Sequence, residues 1–337
     1  MATIKDVARK AGVSTATVSA VMNDTAFVSS ELRVRVVTAI RELRYEPSQA
    51  ARNLRRNRSQ LIALAVADLS NPFYARIVWS AEAAVAAWGY SLVLFNSDEK
   101  PDTERRILSR IRTLGCDGMV LVPVGAANQY QQHEFEGIAT VLLGRSIEGN
   151  SADTVTIDNH AAGRQAVDYL LDLGHRRIGS VTGPMQLSTS KGRLDGMIDA
   201  MAARGLAPQP GHVRSGEFRE EAAYSVARDM MGSPDRPTAI YVANGVMAIG
   251  VMRAIADLGL RCPQDVSIAS TDTVAGAGGL KPRLTRTEHP IADMTNEALR
   301  LLVDRIEERG AEPVRNIIFQ PALIVGESCM PLRGDAG

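Results

Sequence analysis

TIKDVARKAGVSTATVSAVMN, residues 3–23, decides how the N-terminus folds. Thr3 is a good N-cap, and Asp6 three residues later acts like a capping box and places negative charge in the first turn. Ile4, Val7, Ala8 and Ala11 follow helical spacing and give one apolar stripe. Gly12 ends that helix, because glycine tolerates the left-handed conformation past a last turn. Val13 plugs the turn. Ser14 caps a second helix over 15–22, with Val18 and Val21 inward, and Asn23-Asp24 closes it. A third helix starts near Ser29/Ser30, carries Glu31 in its first turn, runs through Leu32, Val36, Val37, Ile40 and Leu43, and stops at Pro47. Two short helices joined by a tight glycine turn and braced by a third form a helix-turn-helix, whose second helix is thin enough for a groove about 12 Å wide. Periodicity alone leaves a plain helical bundle open.

Outward from this stretch, charge supports the same reading. Residues 1–60 hold eleven Lys or Arg against five Asp or Glu, a net +6, which leaves −6 on the rest of a formally neutral chain of 337 residues. A basic head on an acidic body suits a polyanionic partner. The length suggests two or three domains. The longest apolar run, 61–67, is far short of the roughly 20 residues a membrane span needs. Lys5, Arg9 and Lys10 sit where a secretory signal would be apolar, so a cytoplasmic protein is expected. Cys116, Cys262 and Cys329 are far apart and without metal-ligand spacing, which suits free thiols.

The string 3–23 resembles the DNA-binding head of the lactose-repressor/galactose-repressor (LacI/GalR) family. The likeness continues through RELRYEPSQAARNLRRNRSQLIALAVADLSNPF, residues 41–73, and reaches residue 326. It implies a helix-turn-helix DNA-binding domain at 1–46, a hinge helix or linker at 47–60, and an effector-binding and dimerisation domain at 61–337. Within the head it implies that Thr15 and Ala16 face base edges. Thr17, Ser19 and Asn23 match phosphate-contacting and helix-positioning residues, and Thr3, Lys5, Ser14 and Ala20 complete the DNA-binding set. Ala20 departs from the pattern, since a base-reading Arg or His is common there; Ala16 and Ala20 offer only methyl contact, for example to a thymine. The hinge, 48–55, is about two turns long, and helices that short are marginal alone. In the family such helices pair across a dimer and push a leucine into the minor groove; Leu54 matches that leucine, beside Ala51, Arg52 and Arg55.

From residue 61 the chain alternates apolar strands with 10–17-residue helices, which implies right-handed βαβ units and parallel sheets. The halves 61–158 and 161–287 look like two copies of one architecture. The resemblance implies an all-α head plus an α/β body of the type I periplasmic-binding-protein kind, two Rossmann-like parallel-sheet subdomains. The first takes about 61–160 plus 290–320, the second about 161–288 plus 321–337. The chain would cross between them near 158–163, 288–290 and 320–321.

Ligands of open α/β sheets sit at the carboxyl ends of strands. Asp68, Asn71 and Phe73 follow the first strand, and Arg145 follows the strand at 139–143. By resemblance, Arg193 in Ser-x-x-Arg-Leu-x-Gly, Phe218, Asn244 and Asp272 join the effector-binding set. Gly245, Thr271 and Thr273 replace residues that the family's sugar-responsive members use around Asn244 and Asp272, and the loss of carboxylate acceptors beside an intact Arg193 favours an anionic or less hydroxylated effector. The five histidines are scattered and no P-loop, HExxH or nucleophile elbow occurs, so no catalytic residue, metal or cofactor is expected. The implied function is a transcriptional regulator, a repressor, that binds a palindromic operator as a homodimer under allosteric control by a sugar or related metabolite. The alternative is a solute-binding protein without a regulatory role.

Overall fold

The computed structural model describes residues 2–45, 58–125, 130, 134–149, 151–272, 281–307 and 313–332. The hinge candidates Ala51, Arg52, Leu54 and Arg55, and also Thr273, lie outside the described residues. The chain divides into two compact units, Met1–Ser59 and Gln60–Gly337.

In the head, α1 (Ile4–Ala11), α2 (Thr15–Asn23) and α3 (Ser30–Glu42) close over Val7, Ala8, Ala11, Val18, Val21, Val36 and Ala39. The caps anticipated from sequence form: Thr3 accepts from Asp6 N while Asp6 accepts from Thr3 N, and Ser14 accepts from Thr17 N. Gly12 stands at φ +63°, and Arg35 of α3 donates to Ala11 O at 2.6 Å, tying α3 to the end of α1. α2 extends one residue further than expected, to Asn23, because Asp24 takes the left-handed turn. Val37 faces outward and Ala39 inward, the reverse of what size suggests.

The second unit holds two six-stranded sheets. The first is built from β1 (Leu61–Val66), β2 (Ser91–Asn96), β3 (Gly118–Leu121), β4 (Ala139–Leu143), β5 (Asp153–Ile157) and β11 (Asn316–Phe319), all parallel, in the order β11-β5-β4-β3-β1-β2. Helices α4 (Pro72–Ala87) and α10 (Ile291–Ile306) cover one face through Ile77, Ala81, Leu299 and Leu302, and α5 (Pro101–Leu114) covers the other through Ile107, Leu108 and Ile111. β1 and β3 are apolar throughout because both faces are buried.

The second sheet runs β12-β10-β9-β8-β6-β7, from β6 (Ile178–Thr182), β7 (Val213–Ser215), β8 (Ala239–Val242), β9 (Ser267–Thr271), β10 (Thr285–Glu288) and β12 (Ala322–Ile324). Only the β10–β12 pairing is antiparallel. Helices α6 (Asn159–Asp172) and α7 (Ser188–Ala202) share one core cluster, and α8 (Glu220–Met231) and α9 (Gly245–Asp257) another. α6 and α7 approach backbone to backbone: a Cβ on Gly163 would lie 2.0 Å from Arg193 O, and one on Gly196 2.0 Å from His160 O.

β7 and β10 are strands that the apolar pattern does not announce. β7 has only three residues, and β10, Thr-Arg-Thr-Glu, is polar although Thr285 and Thr287 are fully buried. The fold class expected from the sequence holds: a helical head, and an α/β body of two parallel-sheet layers.

Candidate DNA-binding head and effector cleft

Thr15 and Ala16 start α2 and are exposed; Thr17, Ser19 and Ala20 are half-buried along it, and Asn23 is exposed at its end. Local bonds hold this polar face. Ser14 Oγ and Thr17 Oγ1 are 2.9 Å apart, and Asn23 Nδ2 donates to Ser19 O at 2.9 Å. Thr3 and Lys5 are exposed at the start of α1. A nine-residue helix with a polar, capped outer face and Val18 and Val21 anchored beneath it has the dimensions of a groove-reading helix.

In the body, strand ends from both sheets converge on one cavity. Asn71, Phe73 and Tyr74 follow β1, Glu99 follows β2, Val122 follows β3, and Gly144 and Arg145 follow β4. From the other sheet come Thr189 after β6, Arg193 one turn deeper in α7, Phe218 after β7, Asn244 after β8, Asp272 after β9 and His289 after β10. Seven of the eight sequence candidates thus line one cavity. Asp68 does not line it. It turns to Ser70 and, across the subdomains, to Arg219 Nη1 at 3.3 Å.

The cavity measures about 40 Å³, room for a few waters. Its walls are paired charges. Arg145 makes a two-pronged bond to Glu99, 2.8 and 2.6 Å, donates to Pro123 O at 3.1 Å, and lies 5.5 Å over the Phe218 ring. Arg193 donates Nε to Asn159 Oδ1 at 2.9 Å and Nη1 to Ala243 O at 2.5 Å, while Nη2 is 3.3 Å from His289 Nε2 and 3.8 Å from Asp272. His289 Nδ1 abuts Asp272 Oδ1, and its ring meets Phe73 edge to face at 5.6 Å. Burial alone would raise the Asp272 carboxyl, but His289 and Arg193 outweigh it and hold the group below its usual value. Burial pushes the Tyr74 hydroxyl well above its usual value, so it stays a neutral donor.

Left-handed loops deliver these groups. Asp98 and Glu99 have φ +55° and +56°; Glu217 and Phe218 have +52° and +55°; Asp272 has +67°. Each costs on the order of 1 kcal/mol without glycine, and such strain collects at ligand clamps. Arg219, next to Phe218, reaches over to Asp98 Oδ1 at 3.0 Å as well as to Asp68. Glu99, Tyr74, Thr189, His289 and Arg219 are not among the residues the sequence singles out. Glu99 follows β2 as Asp68 follows β1, so the strand-end signal is present there, whereas His289 follows β10, a strand the apolar pattern does not announce. The sequence pattern starts α7 at residue 191, three residues late, which hides Thr189.

A helix-turn-helix head and a two-lobed α/β body with a charged cavity between its lobes define a DNA-binding regulator with a site for a small ligand. Comparison with known proteins agrees. Residues 3–48 match the bacterial regulatory proteins of the lacI family, and 167–329 match a periplasmic binding protein-like domain. The HTH-type transcriptional repressor PurR of Edwardsiella ictaluri is 33% identical over 331 residues, 96% of each chain. PurR of Proteus mirabilis is 34% identical over 332 residues with the same coverage. Among solved structures, the transcriptional regulator CelR–cellobiose complex superposes with TM-score 0.73 at 30% identity, covering 97% of this chain and 100% of that one. The lac repressor dimer bound to operator and the anti-inducer ONPF shares the fold, with TM-score 0.87 at 23% identity over 98% and 99% of the chains. The chain belongs to the lacI family and is a DNA-binding transcriptional repressor. Its relatives are repressors, not enzymes. No helix among the described residues is long and apolar enough to cross a membrane.

Proposed function

We propose that the protein represses transcription in the cytoplasm as a homodimer on a palindromic operator, and that a small molecule, a sugar or sugar derivative, binds between the body's subdomains and alters operator affinity. In this reading the head is 1–46, the hinge 47–60 and the body 61–337; Thr3, Lys5, Ser14, Thr15, Ala16, Thr17, Ser19, Ala20, Asn23, Ala51, Arg52, Leu54 and Arg55 meet DNA. Asn71, Phe73, Arg145, Arg193, Phe218, Asn244 and Asp272 meet the effector, with Asp68 controlling closure. The observation that carries the reading is the convergence of strand ends from both sheets on one charged cavity. A ligand there touches both lobes, so its binding is linked to their relative position. One head reads a short half-site, and a two-fold dimer reads a palindrome. Effector and operator then change each other's affinity by the same factor, with couplings of about 1–3 kcal/mol. The name of the CelR–cellobiose structure supports a carbohydrate-like effector.

A mobility-shift assay on genomic fragments at two salt concentrations, with and without metabolite pools, tests this. Expected are sequence-selective, steeply salt-dependent binding and a shift in operator affinity with at least one pool. Removing residues 1–60 should abolish DNA binding and spare ligand binding. Leu54→Ala should weaken operator binding while leaving nonspecific DNA binding nearly intact. Monomeric protein indifferent to every fragment and pool would overturn the reading.

A further inference from the structure

The cleft's fixed charges cancel in pairs, Arg145 with Glu99 and Arg193 with Asp272, but one electropositive feature has no counterpart. Helix N-termini carry unsatisfied N–H groups and partial positive charge. α4, α6 and α9 are capped by Asn71, Asp158 and Asn244. α5, α8 and α10 have acidic residues in their first turns. α7 alone among the described body helices has neither: its N-cap is Leu187, and no acid lies in its first turn. Thr189 in that turn is 5% exposed, lines the cavity, and its Oγ1 has no hydrogen-bond partner among the described residues. A buried hydroxyl left so is destabilising, and a ligand can supply the missing partner. The close α6–α7 contacts, Gly163 at Arg193 O and Gly196 at His160 O, seat α7 against α6 one to two turns past this end. A second cavity of about 480 Å³ adjoins it, lined by Arg145, Ser146, Leu187, Ser188 and Lys191 among others, with Glu148 as its acid.

We propose that the effector carries an oxyanion, a carboxylate or a phosphate, and that the N-terminus of α7 receives it through Thr189 Oγ1 and first-turn N–H groups, with Lys191 adding attraction at the rim. This rests on the effector-cleft reading and narrows the ligand class. The uncharged remainder of the ligand lies toward Phe73 and Phe218.

The test uses the full chain and three kinds of probe at matched ionic strength: inorganic phosphate, acetate, and the set glucose, glucuronate and glucose 6-phosphate. Thermal shift of the body and titration calorimetry are the readouts. Phosphate or acetate should raise the body's melting temperature above chloride, and whichever does so names the oxyanion. Thr189→Val keeps the shape and removes the hydroxyl. It should leave the unliganded melting temperature unchanged or higher, and weaken the anion tenfold or more. The basic head also attracts phosphate, so the difference between wild type and Thr189→Val isolates the cleft's share of the binding. An anion affinity within twofold of wild type in that variant overturns the proposal. So does a neutral hexose bound as tightly as its charged counterpart, lost in Phe218→Ala, a result that would leave the cleft reading standing. A body that no probe and no metabolite pool stabilises sinks both.

Discussion

The head and the body treat their functional side chains in opposite ways. In the head, the polar face of α2 is held by bonds between residues three or four apart, such as Ser14 to Thr17 and Ser19 to Asn23, and it stays open to solvent. In the cleft, Arg145 and Arg193 are 5% exposed, and their partners lie 22 to 96 residues away in sequence. A surface that must meet a long polyanion can be assembled locally and left bare. A site that must change with a small ligand is assembled from distant pieces, each pair within its own lobe, and the lobes meet through Arg145 over Phe218 and Phe73 against His289.

That contrast is most exposed at Arg193. Removing one partner of a buried ion pair costs about 3–5 kcal/mol, because the other charge is left without compensation. Arg193→Ala should lower the urea stability of the body by that order and abolish effector response, while the head's own melting is untouched. Arg193→Lys restores the charge but not the planar fork that serves Asn159, Ala243 and His289 at once, and should recover only part of it. A body as stable as wild type in Arg193→Ala would show that the pair is not structural.

A second buried group sharpens the contrast through pH. Burial pushes Glu104 up to about 7 from 4.5, against hydrogen bonds from Tyr130 Oη and Val124 N. The folded body therefore holds this proton more tightly than the unfolded chain. Its contribution is fully present below pH 4.5 and is lost as pH rises through about 7, on the order of 3 kcal/mol in all. Glu104→Gln cannot ionise, so its urea midpoint should gain on wild type between pH 5 and pH 8. Parallel curves would place the group's ionisation elsewhere. The head has no buried carboxylate among its described residues, and its stability should not share this slope.

The same division explains what is legible in the sequence. The capping box at Thr3 and Asp6, the turn at Gly12 and the cap at Ser14 are local, and each can be read from the residues that form it. The sheet strands are legible where burial on both faces makes an apolar run, as at 61–66. They are not legible at 285–288, where threonines fill the interior and hydrogen-bond within it, Thr287 to Thr271. Glu99 sits in Ser-Asp-Glu-Lys-Pro-Asp, which by itself reads as a solvated helix start; only its pairing with Arg145 makes it part of a site. His289 precedes a proline at a crossing between subdomains and gives no sign of Asp272, seventeen residues earlier and on another strand.

In the head, Gly12→Ala puts a Cβ at φ +63° and 2.5 Å from Arg35 Nη2, the group that holds α3 to Ala11 O. The left-handed conformation alone costs about 1–2 kcal/mol for a non-glycine residue. In so small a unit this should lower the head's melting temperature and weaken operator binding, with the body's transition unchanged. A smaller effect on stability is expected at Arg219, which is 40% exposed in its side chain and bridges Asp68 and Asp98 across the lobes. Exposed pairs contribute less than about 1 kcal/mol. The Asp98 carboxyl is held low by its bonds to Lys100 and then Arg219, so it remains a charged partner well into the acid range. Because Arg219 is anchored at the start of α8 beside Phe218, and both aspartates follow strands of the first sheet, its loss should act on closure more than on folding. Arg219→Ala should leave the urea midpoint nearly unchanged, yet broaden the inter-lobe distance distribution between spin labels on Glu82→Cys and Asp229→Cys. High salt should move wild type toward the variant, since exposed charges are screened. An identical distribution in wild type and variant would mean that the other cross-lobe contacts, Arg145 over Phe218 and Phe73 against His289, suffice to keep the lobes together.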